Sequence, residues 1–185
     1  GGVEQIVDRL VEQLFDGAEQ ALREPLAIES PAPAFEGYVE ATYRYLSARE
    51  EPLRAAQQAI FQRSLAMGAS SPVLGAAMRS IGQLEERIRT MQRAGEISPD
   101  ADARLLAGQM VVCQSMLLGN WSVGLISLER YRLAARFQFL MLLRAWATPL
   151  IAAQLDAAMR ERQQQLKAQE SRRHASHDHL EQSIS

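Results

Sequence analysis

Apolar residues recur every three or four positions along most of the chain, and nowhere do they alternate at the period of a strand. The sequence therefore predicts an all-α protein of about seven helices. In the first segment Val3, Ile6, Val7, Leu10, Val11, Leu14, Ala18 and Leu22 form one stripe of an amphipathic helix, which Pro25 ends. A loop at Ser30-Pro31-Ala32-Pro33 precedes an aromatic-rich stripe over 35–46, with Phe35, Tyr38, Val39, Thr42, Tyr43 and Leu46. Ser47 and Glu50 stand at capping-box spacing and Pro52 suits a first turn, so a third helix is expected over 53–68. Ser71-Pro72 restarts the pattern, with Ser71 as expected N-cap, and the helix over 74–93 carries Leu74, Met78, Ile81, Leu84, Ile88 and Met91.

Gly95 is placed to close that helix in a left-handed conformation, and Ser98-Pro99-Asp100 has the chemistry of a helix start. From Leu105 to Leu128 no residue is charged. A run of that length raises the question of a membrane span, but Gln109, Gln114, Ser115, Asn120, Ser122 and Ser127 and three glycines argue against it. The run reads instead as a helix packed on several sides, the most enclosed element of the fold. Ser127 can cap the next helix, over 129–147, which is apolar on more than one face. Thr148-Pro149 opens a last helix with a thin stripe of Ile151, Leu155, Met159 and Leu166. Beyond Lys167 the sequence turns polar, and residues 168–185 are expected to fray or be disordered.

Composition narrows the functional classes. The 185 residues suit one domain with a substantial core, and a net charge of −2 gives no bulk reason to bind nucleic acid. The single cysteine, Cys113, excludes an intramolecular disulfide and any multi-cysteine metal site; among Val111, Val112 and Met116 it reads as a small buried hydrophobe. One lysine against nineteen arginines points to coding bias rather than to function. The start lacks a signal peptide, which points to the cytoplasm. The opening Gly1-Gly2-Val3, without methionine, suggests a processed chain or a piece of a longer one.

No catalytic constellation is visible, so an enzyme is not expected. The three histidines, His174, His177 and His179, lie in the polar tail, where a metal site would lack partners to orient its imidazoles. Glu85 and Glu86 point about 100° apart on a helix and, with Arg87 and Arg89, read as a solvated face. There is no phosphate loop, nucleophile elbow or HExxH motif, and no cofactor or metal is implied. What remains is binding chemistry: aromatic and methionine faces with a few amides, the composition of a small-molecule pocket. The same stripes also read as plain core. Gln114 and Asn120 weigh more, because a buried amide needs a partner, whether ligand, neighbouring helix or second subunit.

The run Ala94-Gly95-Glu96-Ile97-Ser98-Pro99-Asp100-Ala101-Asp102-Ala103, then Leu105-Leu106-Ala107 and an uncharged helix ending Gly119-Asn120-Trp121, resembles the C-terminal effector domain of TetR-family transcriptional regulators. In that family a G-x-I-x-P-D-x-D turn precedes the eighth helix. Phe35-Glu36-Gly37-Tyr38, Glu51-Pro52-Leu53 and Ser71-Pro72-Val73-Leu74 fall where such domains start helices. The resemblance covers roughly 3–147. It implies a homodimeric regulator, typically a repressor released by a small hydrophobic or aromatic effector, with residues 1–24 as the connecting helix and 25–167 as the ligand-binding and dimerisation body. DNA would be met only through a helix-turn-helix head that has no counterpart here, and no membrane is involved. The implied ligand set is Tyr38, Thr42, Phe61, Met78, Ile81, Met110, Gln114, Leu117 and Trp121. The implied dimer set is Leu118, Leu125, Phe137, Leu140, Met141 and Arg144. The alternative from another class is a stand-alone helical interaction module with no ligand.

Overall fold

The computed structural model describes residues 31–67 and 72–182, and within them the chain is all-helical. The helices are α1 (Pro31–Ser47), α2 (Glu50–Met67), α3 (Pro72–Arg93), α4 (Ala103–Ser122), α5 (Leu128–Arg144) and α6 (Pro149–Gln182). The helix expected at 3–22, the domain 1–24 and the Ser71 cap lie outside the described residues.

Helices α4 and α5 pair through a short turn and form the spine. α2 and α3 pack on α4, while α1 and α6 pack on α5. The core between them draws Phe35 and Tyr38 from α1, Leu84 and Ile88 from α3, Met110 and Trp121 from α4, and Phe139 and Leu140 from α5. Phe139 anchors its centre: its ring meets Phe35 edge-on at 6.3 Å and stacks with Tyr38 at 6.0 Å, the two geometries the ring quadrupole favours.

Local chemistry sets the helix ends. Gly95 has φ +72° and lets the Gly95 and Glu96 amides donate back to the Gln92 and Met91 carbonyls, closing α3 in a Schellman motif. Gly124, at φ +80°, repeats it at the end of α4 with the Trp121 and Asn120 carbonyls. Ser127 caps α5 as its position predicts, accepting from the Arg130 amide. Two other caps differ from expectation. The cap of α4 is Asp102, whose carboxylate accepts from the Leu105 amide at 2.9 Å; Ser98 lies in the preceding turn and accepts from the Asp100 amide. The Ser47 hydroxyl donates backward to the Arg44 carbonyl instead of capping α2.

A small antiparallel bridge between Ile97 and Ala147 ties the α3–α4 turn to the α5–α6 turn. Ser98 N–H donates to the Trp146 carbonyl at 2.8 Å and Thr148 N–H to that of Glu96 at 2.9 Å. The Thr148 hydroxyl donates to the Gly95 carbonyl at 2.7 Å. Ile97 is fully buried beneath this bridge.

Helix α6 runs on to Gln182, past the boundary near Lys167 that polarity suggests. Polar composition does not oppose a helix when the residues are good helix formers such as Gln, Ala, Glu and Arg. Across this boundary Arg130 of α5 donates to the Leu166 carbonyl and pairs with Glu170 at 2.6 Å. Helix α4 also departs from expectation. It is not enclosed all round, because Leu105, Val112 and Met116 are exposed on the side away from Leu106, Met110 and Trp121. Among the described residues no helix is long and apolar enough to cross a membrane.

Candidate functional site

Three places collect the residues that sequence reasoning singled out. The first is a polar cluster inside the core where α1, α4 and α5 meet. Tyr38 OH donates to Gln114 Oε1 at 3.2 Å, and Gln114 Nε2 donates to Tyr131 OH at 3.1 Å. Gln114 Nε2 also lies 3.5 Å from Thr42 Oγ1, which itself donates to the Tyr38 carbonyl at 3.0 Å. Burial pushes the Tyr38 pKa up to about 12, against the lowering effect of its hydrogen bonds, and raises that of Tyr131 further. Both phenols are therefore neutral donors and acceptors across the physiological range. The partner that the Gln114 amide requires is the protein itself.

The second place is the contact between α2 and α4. Trp121 is fully buried there, and its indole N–H has no hydrogen-bond partner. The Arg54 guanidinium lies 5.4 Å from the indole ring centre, within cation–π range. Arg54 pairs with Glu50 at 2.8 Å through Nη2, while its Nε is buried without a partner. Gln58 fixes the two helices by donating to the Ser122 carbonyl at 2.7 Å.

The third is the open side of α4 and α5. Leu105, Val112 and Met116 stand exposed at helical spacing along α4, and Leu125 of the following turn and Met141 of α5 are exposed as well. The exposed positions of α4 between Leu105 and Met116 include no charged side chain.

Not every residue singled out falls in these places. Of the implied ligand set, Tyr38, Thr42 and Gln114 share the polar cluster, Met110 is buried in the core, and Ile81 and Leu117 are half-buried against it. Met78 is exposed and stands outside that core, and the side chain of Phe61 lies outside the described residues. In the implied dimer set, Leu125 and Met141 are exposed, and Leu118 and Phe137 are half-buried. Leu140 is fully buried within its own chain, so it offers no surface to a partner and leaves that set. Arg144 is held to Asp156 by Nε at 2.6 Å and Nη2 at 3.3 Å. That pairing lowers the Asp156 pKa.

Cys113 is half-buried rather than enclosed. Glu85 and Glu86 form the expected charged face, pairing with Arg89 and Arg93. Among the described residues no cluster of His, Cys, Asp and Glu can hold a metal. The side chains of the three histidines lie outside the described residues.

Sequence reasoning missed Tyr131 and Arg54 as members of polar sites. It also missed a groove of about 570 Å³ between α5 and α6, lined by Arg132, Arg136, Glu129, Gln165 and Gln169 among others. The i,i+4 spacing of Arg132 and Arg136 was the available signal. Both guanidiniums are already held by Glu40 of α1, and Arg132 also by Glu129. Beside them Arg162 of α6 grips Glu36 of α1 through two bonds of 2.8 and 2.9 Å. This charge network joins α1, α5 and α6, with its cations matched by carboxylates of the same chain.

The arrangement of helices defines the chain as having the fold of a TetR-like regulator. The chain superposes on a solved TetR-family transcriptional regulator from Marinobacter aquaeolei VT8 with a TM-score of 0.56 and 17% identity, over 84% of this chain and 76% of that one. No protein-family model matches the sequence, and no curated protein matches it. At this identity the likeness is one of fold.

Proposed function

We propose that this chain is the sensing and dimerising body of a TetR-like transcriptional regulator, in which a small hydrophobic ligand alters the spacing of two DNA-reading heads. The observation that bears most weight is the exposed, uncharged apolar face of α4, with Met141 exposed on α5. Such a surface, with Leu105, Val112, Met116 and Met141 in water, calls for a partner. A second copy meeting it about a two-fold axis makes a four-helix arrangement from two α4–α5 pairs. This also accounts for an α4 that is apolar on opposite faces. The sensing role rests on the TetR-like fold, together with the aromatic and methionine side chains, Tyr38, Met110 and Trp121, that pack around α4. A ligand shifts such a regulator only by binding one arrangement better than the other.

Sedimentation velocity tests the dimer. The wild-type chain is expected to sediment as a dimer, and Val112→Glu combined with Met116→Glu as a folded monomer by circular dichroism. Both positions are exposed, so the exchange leaves the core of each chain intact. A wild-type monomer at tens of micromolar overturns the reading.

A second reading, a helical interaction module without a ligand, is favoured by one observation: the buried amide of Gln114 is already partnered by Tyr38 and Tyr131. A thermal-shift screen of apolar ligands separates the two, because only a sensor gains stability from ligand.

A further inference from the structure

We infer that the α2–α4 contact takes a carboxylate borne on an apolar body, with Trp121 and Arg54 as its anchors; this rests on the sensing role proposed above. The polar groups of the core fall into two kinds. Those of Tyr38, Thr42, Gln114 and Tyr131 satisfy one another. The Trp121 indole does not: its one polar atom is a donor, it is buried, and nothing accepts from it. Arg54 Nε, on a guanidinium lying over the same ring, is a second buried donor without an acceptor. Arg132 and Arg136 also leave Nε unmet, and each, like Arg54, has its guanidinium paired with a carboxylate of the chain; what sets Arg54 apart is the buried, unpartnered indole beneath it.

Neither an indole nor a guanidinium can accept a hydrogen bond, so whatever completes this pair must be an acceptor. The guanidinium charge selects an anion over a neutral carbonyl, and its planar fork suits a carboxylate. Glu50 does not fill this role, because it takes Arg54 through Nη2 at the exposed edge of α2. Apolar side chains lie close by on both helices, Leu53 beside Arg54 on α2 and Leu117 one turn before Trp121 on α4, and Gln58 bridges the helices through the Ser122 carbonyl. Since the indole is fully buried, the carboxylate reaches it only as α2 parts from α4. The ligand then supplies an acceptor that the closed arrangement lacks, which is the differential affinity a switch requires.

The test uses the full chain, isotopically labelled, with decanoate and its uncharged counterpart decanol as probes. Decanoate is expected to move the Trp121 indole N–H resonance downfield while that of Trp146, exposed and remote in sequence, stays in place. Arg54→Met is expected to weaken decanoate about tenfold, the scale of one charge-assisted bond, and leave decanol within about twofold. Arg54→Lys, which keeps the charge, is expected to fall between Met and wild type. Equal binding of decanoate and decanol, with the indole unmoved, overturns the carboxylate inference and leaves the sensing role standing. Equal weakening of both probes by Arg54→Met overturns it too, by making Arg54 a structural residue. Binding of neither probe at millimolar concentration overturns the sensing role along with it.

Discussion

Gln114 shows how one buried amide is made tolerable. Its carbonyl accepts from Tyr38 and its amino group donates to Tyr131, so α1, α4 and α5 are joined at one residue. Removing one partner leaves a buried polar atom unmet, whereas the shape of the core stays the same. Tyr38→Phe and Tyr131→Phe are each expected to cost about 1–3 kcal/mol in urea unfolding. The phenols also set an alkaline limit. The pKa of Tyr38 rises from 10.0 to about 12 because burial disfavours the phenolate, so the folded state holds its proton more tightly than the unfolded chain. This contribution is fully present below about pH 10 and is lost as the pH rises toward 12. Ultraviolet titration of tyrosinate should therefore show Tyr38 and Tyr131 ionising together with unfolding. Ionisation of both with the fold intact would contradict their burial.

At the scale of elements, the turn between α3 and α4 holds the most local information. Gly95 supplies the left-handed residue, Asp102 caps α4, and Gln92 Nε2 braces the loop through the Ser98 and Ala101 carbonyls at 3.0 and 2.8 Å. Gly95→Ala must hold an L-residue at φ +72°, and about 1–2 kcal/mol of destabilisation is expected. Asp102→Ala is expected to cost about 1 kcal/mol, while Ser98→Ala, at the position that sequence alone favours as the cap, should cost less. Comparison of the three melting temperatures checks the assignment. The sequence was legible here because glycine, proline and aspartate act on their immediate neighbours. It pointed to Ser98 and not to Asp102, since both residue types cap well and only the backbone path decides which one meets an unpaired amide.

For the whole molecule, the two faces of α4 and α5 should respond differently to substitution. Leu140 lies in the core, so Leu140→Ala is expected to cost about 2–5 kcal/mol in stability at any protein concentration. Met116→Ala lies on the open face, so its effect should be small in a monomer and should grow with concentration if the proposed dimer forms. Unfolding at several concentrations distinguishes the two.

Periodicity by itself determined that the described residues are helical, and where five of their six helices lie to within a few residues. Those are properties of spacing and of residues acting on near neighbours. It did not determine which apolar face is covered. Leu140 and Met141 are adjacent and equally apolar, yet one is buried and the other exposed. Nor could it pair Gln114 with Tyr131, or Arg54 with Trp121, because such contacts depend on how separate helices cross. The tertiary structure decided that the conspicuous amide is satisfied and that the unmet donors lie elsewhere: a hydrogen bond between distant residues exists only once packing has brought them within 3.5 Å of each other.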